Sequence, residues 1–252
     1  MAQKVLITAG AAGIGHEFAR AFAATGAKIY ICDIDEAGLA AMAKEIPGLT
    51  AKRCDMGKRA EIERMVPEAI KALGGLDVLI NNAGIAGLTL PVEQYPPDDW
   101  DKVIAVNLTG MFDVTRLAIP ALKQSPAGCI INMTSIAGRY GFANRSPYAA
   151  TKWAVIGFTK TLAIELGPHR IRANAIAPGA VEGDRIMRVF QGRAQISGRS
   201  MEEVKTDAFA AQSIDGFVDP KDIAQLAVFL ASPAAKSISG QVLPIDNDRH
   251  KA

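Results

Sequence analysis

Short apolar runs rich in β-branched residues recur along the chain: KVLIT, KIYICD, LTAKRC, LDVLIN, GCIINMTS, RIRANAI and, last, QVLPID. Each but the last is followed by a longer segment of helical period. Strands that run the same way need a crossover of a dozen or more residues between them, usually a helix, so this alternation predicts a parallel sheet covered by helices on both faces. With 252 residues, 49% of them apolar, the chain has enough material for one large core. We read residues 1–252 as a single α/β domain. Local signals agree with that pattern. Ile14, Phe18 and Phe22 form an inward stripe at i, i+4, i+8 on the first helix, and Asp219-Pro220-Lys221-Asp222 supplies an N-cap, a first-turn proline and an acid for the last one. One stretch, 182–216, is longer and more charged than its neighbours, and loops of that size are usually functional lids or disordered.

Charge and composition remove several function classes. A net charge of +2 spread over the whole chain leaves no electrostatic footprint for nucleic acid. No run approaches the roughly 18 apolar residues of a membrane span, and the first strand begins at Lys4, with no room for a signal peptide before it. A cytoplasmic protein that engages neither membrane nor nucleic acid is the expectation. Cys32, Cys54 and Cys129 are scattered and read as buried reduced thiols, and His16, His169 and His250 stand in no metal-ligand spacing, so no metal is expected.

The first strand runs into TAGAAGIG, Thr8 to Gly15, and then into a helix. Glycines at such a junction let a phosphate approach the backbone amides of the helix N-terminus. The spacing differs from G-x-G-x-x-G, and a glycine cluster alone is compatible with a plain turn. The second strand, however, ends at Asp33, twenty residues beyond Gly13, where a carboxylate accepts the ribose hydroxyls of an adenosine. A strand-end Asp alone can be an N-cap; the pair at this spacing favours a dinucleotide.

Further along, SPYAATKWAVIGF places Tyr148 and Lys152 four apart, on one face of a helix. Alone, such a pair is compatible with a solvated surface. Thirteen residues before Tyr148, Ser135 ends a buried strand at the sheet edge where open α/β folds bind ligands, and NNAG at Asn81 to Gly84 ends the preceding strand in the same way. Removing a proton from an alcohol near neutral pH needs a base, and free tyrosine titrates near pH ~10. A cation one helical turn away, Lys152, can favour the phenolate, while Ser135 orients the substrate oxygen.

These elements in this order, the T-x-x-x-x-G-I-G turn, NNAG, V-N-L at Asn107, Ser135, Tyr148 with Lys152, and the Pro178-Gly179 pair, resemble the short-chain dehydrogenase/reductase family over nearly the whole chain. The resemblance implies a Rossmann-type doubly wound sheet of seven parallel strands, a helical substrate lid around 182–216 and a homotetramer. It implies a catalytic tetrad in which Tyr148 is general acid/base, Lys152 binds the nicotinamide ribose and lowers the tyrosine pKa, Ser135 holds the substrate oxygen, and Asn107 anchors a proton-relay water. By the same resemblance, NAD is held by Thr8, Gly10, Gly13, Ile14, Gly15, Asp33, Asp55, Met56, Asn82, Ala83, Gly84, Tyr148, Lys152, Pro178, Gly179 and Val181.

The chain departs from the family pattern in three places. Ala9 stands where the turn glycine belongs and is followed by Gly10, so the turn glycine is expected to have moved by one, at little cost if Ala9 keeps a negative φ. Gly183 replaces a threonine that bonds the carboxamide, which leaves that task to main-chain groups near Val181. Asn247 follows Asp246 where Asp-Gly-Gly is usual, and asparagine can take a left-handed turn. The expected activity is interconversion of a secondary alcohol and a ketone on a small polar substrate with NAD, since Asp33 opposes a 2′-phosphate. The alternatives are a 3-oxoacyl-acyl-carrier-protein reductase and a cofactor-binding protein without turnover. Arg139 and Arg145, between Ser135 and Tyr148, and Arg185, Arg188, Arg193 and Arg199 in the lid either clamp an anionic group of the substrate or form a solvated face and subunit contacts balanced by Glu202 and Glu203.

Overall fold

The computed structural model describes residues 2–250. Among these, the strands are β1 (Lys4–Thr8), β2 (Lys28–Asp33), β3 (Thr50–Arg53), β4 (Val78–Asn81), β5 (Cys129–Met133), β6 (Arg172–Pro178) and β7 (Val242–Ile245). They form one seven-stranded sheet in the order β3-β2-β1-β4-β5-β6-β7, parallel throughout. The helices are α1 (Gly13–Ala24), α2 (Glu36–Glu45), α3 (Arg59–Leu73), α4 (Pro97–Ile104), α5 (Gly110–Leu122), α6 (Ser146–Leu166), α7 (Asp184–Ser197), α8 (Met201–Phe209) and α9 (Pro220–Ala231). The parallel sheet expected from the alternation, and the Rossmann-type doubly wound order of seven strands implied by the resemblance, are the observed ones.

Side-chain alternation along each strand divides the core in two. Val5, Ile7, Ile29, Ile31, Val78 and Ile80 face Phe18 and Phe22 of α1, Met42 of α2 and Ile223 of α9. Leu6, Tyr30, Leu79 and Ile130 face Ile62 and Val66 of α3, Val114 of α5 and Leu162 of α6. Strand order reverses direction between β1 and β4, so the connections from these strands leave toward opposite faces. The crevice at their C-terminal ends is where this fold accepts ligands.

Two helical regions bear on the site. α4 continues through a π-helical turn, Ala105–Thr109, into α5, so Pro97–Leu122 is one run. By length and composition it could cross a membrane, a possibility missed by counting consecutive apolar residues. Yet it packs against α3 and the sheet, and its buried Asp113 accepts from Arg59 Nε and Arg116 Nε at 2.9 Å each. Those features belong to a core helix. The stretch expected to be a lid is helical: α7 and α8 enclose a small core of Phe190, Ala194, Val204 and Ala208, with Phe217 stacked on Phe190. A capping box between Ser200 and Glu203 starts α8.

Candidate active site

The turn after β1 is tightly built. Thr8 Oγ1 accepts from the amides of Asn82 and Ala83, each at 3.0 Å, and Asn82 Nδ2 donates to the carbonyls of Thr8 and Ala9. The ends of β1 and β4 are thereby tied together on both sides of the crevice. Gly13 opens α1 with φ +54° and has open space where a Cβ would project. A side chain there would enter the cradle, and its absence is the fit a phosphate requires. Gly15 lies so close to the Ala9 carbonyl that a Cβ would overlap it. At Ala9 the expectation fails: its φ is +53°, in the left-handed region, and the turn has not moved to Gly10. Gly10 serves another purpose, since a Cβ on it would fall 2.6 Å from Ile31 Cβ of β2.

The end expected to meet adenosine is equally defined. Asp33 Oδ2 accepts from the Ala11 amide at 3.1 Å and Oδ1 from the Ile34 amide at 2.7 Å, which holds its carboxylate against the glycine turn. Arg53, its register partner on β3, was not anticipated from sequence. Its guanidinium is engaged by Glu61 at 2.9 Å and Glu36 at 3.6 Å. Asp55 Oδ1 accepts from the Gly57 amide and its own amide donates to Glu61, while buried Met56 packs where α5 begins at Gly110. At the far end, Gly179 lets β6 approach Asp246, and Pro178 closes the strand. The residues on either side of Val181 bond Val218 through the Ala180 carbonyl and the Glu182 amide, so the peptide groups of Val181 itself face away from Val218. Asn247 takes the left-handed conformation expected of it, φ 56°.

Ser135, Tyr148, Lys152 and Asn107 converge beyond the ends of β4 and β5. Ser135 caps a short 3₁₀ turn, its Oγ accepting from the Ala137 amide at 3.1 Å. Lys152 is buried, donates from Nζ to the Met133 carbonyl at 2.8 Å, and lies 5.6 Å from the Tyr148 ring centroid. Asn107 sits in the π-helical turn. Its amide is spent on the Ile85 backbone, accepting at 2.7 Å and donating at 3.0 Å, with a further bond to Thr151 Oγ1. Gly84 brings its backbone beside both Asn107 and Lys152, and Ile14 packs partly buried on the opposite core.

Electrostatics prepare the tyrosine. Burial alone would raise its pKa, but Arg185, Lys152 and Arg145, followed by a hydrogen bond from Ser135, outweigh burial and bring it down to about 8. Lys152 is lowered to about 8, chiefly by burial, against the pull of the Tyr148 phenolate. Sequence alone suggested Lys152 as the cation; the fold adds two arginines, and Arg185 acts more strongly than Lys152.

Several supporting residues gave no sequence signal because their roles arise from tertiary approach. Thr134 Oγ1 donates to the Lys152 carbonyl at 2.7 Å, and Gly138 permits that contact, since its Cβ would lie 2.6 Å from the same carbonyl. Asn81 donates to Asn132 and Thr115, and Asn132 to Thr159, a buried ladder that fixes α5 and α6 against β4 and β5. The arginines separate into distinct groups. Arg139 pairs with Asp246 at 3.1 Å and Arg199 with Asp207. Arg193 lies over Phe142, lowered to about 10 by burial and by Arg145 and Arg249. Arg145, Arg185 and Arg188 have no ion-pair partner among the described residues.

Comparison with known proteins agrees with this fold. The chain is 39% identical over 246 residues to the D-beta-hydroxybutyrate dehydrogenase of Cupriavidus necator, covering 96% of this chain and 95% of the relative. Among solved structures it superposes with a TM-score of 0.92 on an actinorhodin polyketide ketoreductase bound to NADPH, 32% identical, covering 98% of this chain and 96% of the other. The NAD⁺-bound form of a xylitol dehydrogenase matches equally well, TM-score 0.92 and 28% identity, covering 96% of this chain and 97% of the other. The sequence profile of the family described as short chain dehydrogenase matches residues 3–194. With that match, the seven-stranded parallel sheet and the site at its C-terminal edge, the chain belongs to the short-chain dehydrogenase family of oxidoreductases acting on hydroxy and keto groups.

Proposed function

We propose that the protein interconverts a secondary alcohol and a ketone on a small polar substrate, with NAD as the cofactor. The observation that carries this reading is the Tyr148 phenol, held among Lys152, Arg185, Arg145 and Ser135 and lowered to about 8, within reach of both protonation states near neutral pH. NAD bound along the crevice would accept or return the hydride. The chain's own share is positioning and proton management. Ser135 and Tyr148 hold the reacting oxygen, Tyr148 takes its proton during oxidation and gives one back during reduction, and Lys152 keeps the phenolate accessible. Asn107, fixed by the Ile85 backbone and Thr151 in the π-helical turn, anchors the water that resupplies protons to the site.

The preference for NAD rests on Asp33. Its carboxylate is anchored by the Ala11 amide, a 2′-phosphate would meet it with like charge, and Arg53 is occupied by Glu61 and Glu36. A 3-oxoacyl-acyl-carrier-protein reductase remains the second reading, supported by the likeness to a ketoreductase that holds NADPH. Phe112 on α5 and Trp153 and Ile164 on α6 expose an apolar face suited to a homotetramer. Initial rates with each cofactor test the central point. NAD is expected to give kcat/KM at least about tenfold above NADP, and Asp33→Ala to erase most of that difference, an effect on the scale of 1.4 kcal/mol. Comparable values for the two cofactors in the wild type would reject the NAD reading.

A further inference from the structure

Arg145 and Arg185 approach the Tyr148 ring, the first with its guanidinium carbon 4.5 Å from the ring centroid and the second at 5.7 Å. Arg145 ends the loop before α6 and is 5% exposed. Among the described residues its side chain makes only one hydrogen bond, a long one of 3.4 Å from a terminal nitrogen to the Ala86 carbonyl, and its buried Nε has no partner. Arg185 comes from the opposite wall, the first turn of α7, and donates to the Gly84 carbonyl at 3.0 Å. Both arginines therefore hold the Gly84–Ala86 loop, which lines a cleft of about 360 Å³ together with Thr89, Arg185 and Arg188.

A buried guanidinium with an orphaned N–H, no carboxylate among the described residues and a second guanidinium nearby is unfavourable unless an anion completes it. Stacking on Tyr148 offsets only part of the desolvation. Paired forks of this kind match a carboxylate. We propose that Arg145 and Arg185 form an anion site beside Tyr148, and that the substrate is a short hydroxy acid whose carboxylate lies one or two carbons from the reacting carbon. The short reach follows from the placement: both guanidinium groups lie against the same ring whose hydroxyl meets the reacting oxygen, so an acid group on a longer arm would extend past both. A neutral thioester offers neither arginine a partner. The inference rests on the secondary-alcohol reading above, and it selects Arg145 and Arg185 over Arg139 and Arg199, whose charges are already paired.

The test compares racemic 3-hydroxybutyrate with its methyl ester, which differs in charge but not in the reacting group, using wild type, Arg145→Met, Arg145→Lys and Arg185→Met. NADH binding by fluorescence verifies that each variant is folded. The wild type is expected to favour the acid by at least about tenfold in kcat/KM. Each Met variant should raise KM for the acid about tenfold or more and change it less than threefold for the ester, with Arg145→Lys intermediate. Equal rises in KM for acid and ester would overturn the proposal and leave the arginines as props for Tyr148 and the loop. Malonate binding, followed by calorimetry, separates this from failure of the underlying activity. If no alcohol is turned over, malonate bound by the wild type and released by Arg185→Met still supports the anion site, and the absence of malonate binding to the wild type overturns it.

Discussion

The floor and the roof of the site are built on opposite terms. On the floor, the buried side chains nearest the reacting groups answer one another: Asn107 spends its amide on Ile85 and Thr151, Lys152 rests on the Met133 carbonyl, and the ladder from Asn81 through Asn132 reaches Thr159, with the neutral Asn81 Oδ1 the one atom of that ladder left without a partner among the described residues. On the roof, Arg145 is as buried as those groups but carries an orphaned Nε, and Arg185 has one backbone carbonyl for its charge. Satisfied networks fix geometry; a buried cation left incomplete is poised for a partner that arrives from outside. The floor should therefore serve the reaction whatever the substrate, and the roof should discriminate between substrates.

The largest expected effect breaks the comparison at the floor. Tyr148→Phe keeps the ring that Arg145 stacks upon and removes only the proton-transfer group. Turnover should fall by at least ~10²-fold for charged and neutral substrates alike, with NADH affinity close to wild type. A loss confined to one class of substrate would show that Tyr148 belongs to recognition, and activity above one tenth of wild type would remove it from proton transfer altogether.

The pH profile sharpens the boundary between the two regions. Oxidation needs the phenolate, so its kcat should rise with pH, with a midpoint near 8, and level off above it; reduction needs the phenol and should fall over the same range. The depressed value reflects Arg185 first, then Lys152 and Arg145. Arg185→Met should then move the oxidation midpoint upward, because a stabilising positive charge is lost while burial remains. An unchanged midpoint would mean that Lys152 and Arg145 set the pKa and that Arg185 is electrostatically silent.

How much of each region could be read from the sequence follows the same division. The positions of Gly13, Asp33, Ser135, Tyr148 and Lys152 were legible because each lies at a strand end or within one helical turn of a partner, where local period dictates geometry. The props were not. Nothing in the string signals that Gly138 is small so that Thr134 can reach the Lys152 carbonyl, because that contact joins two elements brought together only by folding. The arginines were visible as residues but not as roles: the difference between Arg139 and Arg145 lies in whether a carboxylate, here Asp246, folds beside them. Ala9 was misread for a related reason. Alanine prefers negative φ, and only the hold of Asn82 on the Thr8 and Ala9 carbonyls and the close approach of Gly15 force it to +53°.

The smallest expected effect concerns that turn, part of the floor that is satisfied in its hydrogen bonds but strained in its backbone. An L-residue in the left-handed region costs about 1–2 kcal/mol relative to glycine. Ala9→Gly relieves this strain, but it loses a methyl that packs partly buried on the second core cluster, worth at most about 0.8 kcal/mol, and it frees the unfolded chain. The balance favours the variant by up to about 1 kcal/mol, which for a domain of this size raises Tm by up to about 2–4 °C. NAD affinity should shift less than about tenfold, because Gly13 and the Ala11 amide that anchors Asp33 are untouched. A thermal melt with and without NAD reads both quantities. A higher Tm with unchanged affinity places the strain in the scaffold alone; a lower Tm means that the methyl contact outweighs the strain and that alanine here is a packing residue; and a large gain in affinity would show that the strained turn holds the phosphate cradle away from its best geometry.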